Sequence, residues 1–148
     1  MINSIVVGTD GSSTADKAVS EAIQLAKNNH AKLHVVTAFE TASLARKQRE
    51  ADQIPSDMQW AFNARDAIDA TASHAAALAK DEGIDVQSHV RNSSPSDALI
   101  DVAQESDADL IVVGNKGMTG AKRFVASSVP NKVTHNAPCS VLVVQTSA

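Results

Sequence analysis

Aromatic residues and cysteine are nearly missing from this chain of 148 residues, which has three phenylalanines, one tryptophan, no tyrosine and one cysteine. Cys139 has no second cysteine with which to close an internal disulfide, and this fits a reducing cytoplasm. No aromatic residue is interleaved with the short basic run of Arg46, Lys47 and Arg49, so a stacking platform for nucleic acid is not expected. A formal net charge of −4 also withholds the broad basic footprint that DNA or RNA would need. Apolar runs such as Ile5-Val6-Val7 and Leu110-Ile111-Val112-Val113 fall far short of the roughly 20 residues of a spanning helix, so no membrane partner is expected. Met1-Ile2-Asn3-Ser4 carries neither a basic region nor a cleavage site, which argues against a signal peptide.

Several catalytic and cofactor signatures are missing too. No G-x-G-x-x-G follows the first apolar run, and no G-x-x-x-x-G-K-[ST] occurs anywhere, which removes dinucleotide and Walker-type sites. Without a G-x-S-x-G elbow, a hydrolase triad has no support, and no catalytic residue is assigned. The five histidines (His30, His34, His74, His89 and His135) show no ligand-like spacing, so packing or surface roles are expected and no metal site is assigned. Cys139 precedes a strand that reads as buried and is expected to be an inert thiol.

What is present alternates between two periods. With 43% apolar and 20% charged residues, residues 1–148 read as a single domain able to bury one core. Ser4–Val7 reads as a buried strand stopped by Gly8, and Ala15, Ala18, Val19, Ala22, Ile23 and Ala26 then recur at helical spacing. Ser13 with Asp16 resembles the capping pair of that helix. A second strand is expected over Leu33–Ala38. An alanine-rich helix over Met58–Lys80 carries Ala61, Ala64, Ile68, Ala72, Ala75 and Leu78 on one face and stops near Gly83. Thr41–Ile54 reads as loop with some helix. A weak strand at Val86–Val90 precedes Ser94-Pro95, a cap followed by proline at the first helical position. Strands at Leu110–Val113 and Val141–Val144, with a short helix at Val129–His135 between them, complete five strands. This pattern predicts an α/β domain with a parallel sheet and helices on both faces.

Open α/β sheets place ligands beyond the carboxyl ends of their strands, where strand order reverses. Two glycine-bearing loops follow strands here: Gly8-Thr9-Asp10-Gly11-Ser12, and Gly114-Asn115-Lys116-Gly117 running on to Ser127-Ser128-Val129. Glycine lets backbone N–H groups approach an anion, Lys116 adds a mobile charge, Ser128 adds a hydroxyl, and the last helix turns its N-terminus toward the second loop.

Gly114-x-x-Gly117, then nine residues, then Ser127-Ser128 resembles the G-x2-G-x9-G-[S/T] signature of the universal stress protein family. Val7-Gly8-Thr9-Asp10-Gly11-Ser12-Ser13 resembles that family's first strand and turn, and Ala137-Pro138-Cys139-Ser140-Val141-Leu142-Val143-Val144 its last strand. The resemblance implies a doubly wound, Rossmann-like sheet of order 3-2-1-4-5, of the adenine nucleotide alpha hydrolase type. It also implies a cytoplasmic stress-response module that binds ATP or another adenine nucleotide, with Mg2+ as an accompanying cation. Asp10 and Ala38 would lie near adenine and ribose, while Gly114, Lys116, Gly117, Ser127, Ser128 and Val129 would hold the phosphates. A homodimer through Val141–Val144 and a protein partner of unknown identity are implied as well. Ser127 stands where the signature has glycine, and a side chain there crowds the phosphate end. Two alternatives follow: a slow ATPase using Lys116 and Asp10, or a nucleotide-free dimer that acts through protein contacts.

Overall fold

The computed structural model describes residues 1–41, 59–115 and 129–146. Strands β1 (Ser4–Gly8), β2 (Lys32–Phe39), β3 (Val86–Asn92), β4 (Leu110–Gly114) and β5 (Ser140–Val144) form one sheet of order β3-β2-β1-β4-β5. Every pairing is parallel. Helices α1 (Ser13–Asn29), α2 (Gln59–Asp81), α3 (Pro95–Glu105) and α4 (Val129–Asn136) connect them. The expected doubly wound α/β fold and its strand order are the observed ones.

Both faces of the sheet are buried because its central strands are apolar on both sides. Ile5 and Val7 join α1 and α2 side chains such as Val19, Ala22 and Ala75 in one core. Val6 turns the other way and packs with Leu99, Val102, Ile111 and Val133 in a second core. Ile5, Val6 and Val7 are wholly buried, a contribution of about 1.5–3 kcal/mol for each large side chain. At the amino end, the Asp109 carboxylate accepts the N–H groups of Asn3 and Ser4 at 2.8 and 3.1 Å, pinning the entry of β1 beside β4.

Local signals place the helix ends, with one shift. Ser12, not Ser13, caps α1: its hydroxyl accepts the Ala15 N–H at 3.1 Å. His30 ends that helix in the left-handed region at φ 54. Ser94 caps α3 with Pro95 in its first turn, as the sequence predicts. On α2, Ala72, Ala75, Ala76 and Ala79 are buried, whereas Leu78 is 39% exposed and lies off the core stripe. The residues of the Thr41–Ile54 prediction after Thr41, and the positions of Ala61 and Ala64 as core residues, lie outside what the structure describes. β5 is the edge strand of the expected order, but it is less buried than its composition suggests, with Leu142 36% and Val143 42% exposed.

The histidines supply an unexpected contact. His34 on β2, 5% exposed, meets His89 on β3 with Nδ1 and Nε2 2.9 Å apart. Such a bond requires one ring nitrogen to donate and the other to accept. Burial lowers both pKa values from the ordinary 6.5, and Lys32 and Arg91 add to this, while Asp85 and Glu105 oppose it. Arg91 is itself held by a two-pronged bond to Glu105 of α3, at 3.0 and 2.7 Å. Because the folded pKa values lie below 6.5, the stabilisation is present above that pH and is lost as pH falls through the folded values. The unfolding midpoint in urea is therefore expected to drop between about pH 7 and about pH 5, with a shallower drop in His89→Gln. Equal pH slopes for the two proteins would remove the pair as the cause.

Candidate functional site

Asp10, Ala38 and Gly114, three residues of the site predicted from sequence, lie at the carboxyl edge of the sheet. β1 pairs with β2 through Gly8 and Val36 and with β4 through Val7 and Val112. The chain leaves β1 and β4 at the same edge, and β1 and β4 mark the position where the order of strands reverses. Asp10 lies in the loop after β1 and is exposed, Ala38 is the second-last residue of β2, Gly114 closes β4, and Val129 opens α4. The Thr9 N–H reaches Val36 O at 3.0 Å and draws the first loop against the end of β2. Asp10, Ala38 and Gly114 thus share one edge on three adjacent strands, and Val129 half-buries against the core beneath α3 and α4. Lys116, Gly117, Ser127 and Ser128 lie outside the described residues.

The first loop folds on its own polar groups. The Gly11 N–H donates to Thr9 Oγ1 at 3.1 Å, the Ser12 N–H to Asp10 Oδ1 at 2.9 Å, and the Ala15 N–H to Ser12 Oγ at 3.1 Å. These amides already have acceptors, and the loop displays the carboxylate of Asp10 at its tip, so an anion gains little there. A neutral group with hydroxyl donors suits it better. Gly11 is obligatory for this turn. Its φ is +84, and a Cβ would stand 3.0 Å from Thr71 Oγ1 on α2, a hydroxyl that donates to Ala67 O at 3.1 Å.

The second loop begins on firmer ground than its sequence predicts. Asn115 and Thr146, assigned no role from sequence, meet there: Asn115 Oδ1 accepts both the N–H and the hydroxyl of Thr146 at 2.8 Å. Nothing local marks this contact, since the two residues are 31 positions apart. Cys139 is half-buried, and burial followed by the charge of Asp109 pushes its thiol upward, as expected of an unreactive cysteine. Among the described residues, no group of three or more His, Cys, Asp and Glu side chains is arranged to hold a metal. No described helix is long and apolar enough to cross a membrane.

A five-stranded parallel sheet whose strand order reverses between β1 and β4 defines the class: a doubly wound α/β domain. The universal stress protein family profile matches residues 1–145, and the chain belongs to that family. A Staphylococcus saprophyticus protein named for the same family is 31% identical over 146 residues, covering 97% of this chain and 83% of the relative. The crystal structure of a universal stress protein in complex with cAMP matches with a TM-score of 0.73 at 33% identity, over 99% of this chain and 98% of that one. The universal stress protein UspA from Lactobacillus plantarum matches with a TM-score of 0.64 at 25% identity, over 97% of this chain and 98% of that one.

Two glycine substitutions separate the causes of strain in the first loop. Gly11→Ala and Gly83→Ala both force a side chain onto a positive φ, but a Cβ at Gly83 has nothing within 4 Å. Gly11→Ala is expected to cost about 1–3 kcal/mol and Gly83→Ala about 1 kcal/mol in urea denaturation. Equal losses would mean that the Thr71 contact is easily relieved.

Proposed function

We propose that this chain is a cytoplasmic stress-response module that binds an adenine nucleotide, ATP foremost, and works as a homodimer. The observation that carries the reading is the parallel pairing of β1 with β4, which sets the carboxyl ends of the two strands, Gly8 and Gly114, side by side where strand order reverses. Family membership supports it, as does the cAMP bound by a 33% identical relative. Asp10 and Ala38 take the base and ribose end, since the first loop offers a carboxylate acceptor and has its Gly11, Ser12 and Ala15 amides engaged. Gly114, Lys116, Gly117, Ser127, Ser128 and Val129 take the phosphates, with a lysine charge and the N-terminal end of α4 on the anion. Mg2+, when bound, neutralises phosphate charge. Neither loop carries a recognisable water-positioning residue, which favours binding over turnover.

Calorimetry with ATP, AMP and cAMP, each with and without Mg2+, tests the reading. A dissociation constant near micromolar, about −8 kcal/mol, is expected for ATP. No heat with any of the three at millimolar concentration would sink it. Ser127→Gly is expected to raise affinity for ATP more than for AMP, because the hydroxymethyl group crowds the outer phosphates.

The dimer reading rests on β5. Its outer side is a sheet edge, and Leu142 and Val143 leave apolar surface uncovered beside it. Pairing of Val141–Val144 with a second copy would satisfy the edge and cover that surface. Val143→Lys is expected to shift sedimentation from dimer to monomer while leaving the circular dichroism spectrum intact. A wild-type monomer at all concentrations would refute the dimer and leave the nucleotide proposal standing.

A further inference from the structure

β3 forms the other edge of the sheet from β5, with β2 as its one neighbour. None of its seven residues is fully buried, whereas β2 carries a run of five that are. Gln87, His89 and Arg91 alternate onto the face that α3 covers: Arg91 reaches Glu105 there, and His89 lies opposite Val36, which packs in the core beneath α3. On that face β3 therefore brings polar side chains only. Two contacts tie it down, the pair of bonds from Arg91 to Glu105 at 3.0 and 2.7 Å and the 2.9 Å contact between His89 Nε2 and His34 Nδ1 across the seam with β2. Elements with few buried apolar contacts are the first to open.

We propose that the His34–His89 bond is a proton-operated latch on the edge of the sheet, and that protonating both rings releases β3 from β2 while the rest of the sheet stays closed. One proton taken up by the neutral pair leaves the bond intact, since one of the two facing nitrogens still accepts. A second puts N–H groups on both facing nitrogens and like charge on two rings whose centroids lie 5.1 Å apart. Lys32 of β2 and Arg91 of β3 oppose the added charge, whereas Asp85, just before β3, and Glu105 of α3 favour it. Asp101 of α3 also faces Arg91. The bond from Arg91 holds the Glu105 carboxyl below its ordinary range, so this second tie stays ionised while histidine titrates. It is a partly exposed ion pair and weak by itself. Burial holds both histidines below 6.5 in the closed seam, and release returns them to their ordinary value, so opening takes up protons and grows as pH falls. The latch does not depend on nucleotide binding.

Amide hydrogen exchange at about pH 7.5 and about pH 5.5, read as protection factors, tests it. The Leu33 N–H donates to Asp85 O at 2.9 Å across the β2–β3 seam, and the Asp109 N–H donates to Ser4 O at 2.9 Å between β4 and β1. Protection at Leu33 is expected to fall about ten- to a hundredfold at the lower pH, the range set by one or two protons taken up at an ordinary histidine. There it is also expected to lie about tenfold or more below protection at Asp109. In the double variant His34→Gln, His89→Gln the pH dependence at Leu33 is expected to shrink to about twofold or less, with the exposed His30, His74 and His135 still in place. His89→Gln alone is expected to show a smaller fall than wild type, which keeps the test open if the double variant does not fold. Equal protection at Leu33 and Asp109 at the lower pH would mean that the seam opens only with the whole sheet, and would overturn the proposal. Protection at Leu33 that ignores pH, or an undiminished fall in the variants, would overturn it as well.

Discussion

A strand with parallel neighbours on both sides has to bury both of its faces, and β1 meets that condition with three consecutive apolar residues. Ile5, Val6 and Val7 sit opposite Leu33, His34 and Val35 on β2 and opposite Leu110, Ile111 and Val112 on β4. The pairing with β4 puts β4 and β5 on the other side of β1 from β2 and β3 and creates the reversal in strand order. It also leaves no room for chemistry within the strand, because a polar side chain there would be desolvated on either face. Reactive and ligand-facing groups are therefore confined to the edge, and two glycine-terminated strands deliver the chain to it. The fold positions the site by aligning the carboxyl ends of β1, β2 and β4.

Much of this was legible because it is local. Helical spacing in Ala15–Ala26, the Ser94-Pro95 cap and the short β-branched runs each concern residues within one turn or one strand, and the structure places them accordingly. Errors arose where burial depends on distant partners. Leu78 fits the helical face by spacing alone, yet Ala79 occupies the core and Leu78 faces solvent. Val141–Val144 has the composition of a buried strand, but at the edge where the expected order places it Leu142 and Val143 stay exposed. The His34–His89 bond joins residues 55 positions apart, and only the register of β2 on β3 brings their rings together. The location of the candidate site was legible from its glycines. Its anchoring through Asn115 and Thr146 was not, since no spacing rule links a loop to a strap after another strand.

The first loop has an electrostatic character that composition does not reveal. Both loops are rich in glycine and small polar residues, and either one alone looks suited to an anion. In the first, the side chains of Thr9, Asp10 and Ser12 take up amides that an anion would need, and Asp10 brings negative charge. Such a loop has few free amides to offer an anion and presents a carboxylate that can accept hydrogen bonds. The second loop starts from Asn115, whose own amide is engaged in the ladder, and its sequence continues with Lys116.

The strap formed by residues 144–146, which binds Asn115, is also the continuation of the exposed edge strand. Val143, uncovered at the edge, is followed at once by Val144, whose carbonyl accepts the Asn115 N–H, and then by Gln145 and Thr146, which meet the Asn115 carboxamide. A partner strand laid along β5 and a ligand held by the loop after β4 would therefore lean on the same few residues. Two binding events that share a set of hydrogen bonds alter each other's free energy whenever either one shifts those bonds, and the effect is reciprocal. In this arrangement the carboxamide of Asn115 joins the end of β4 to Gln145 and Thr146, the residues that follow the edge strand.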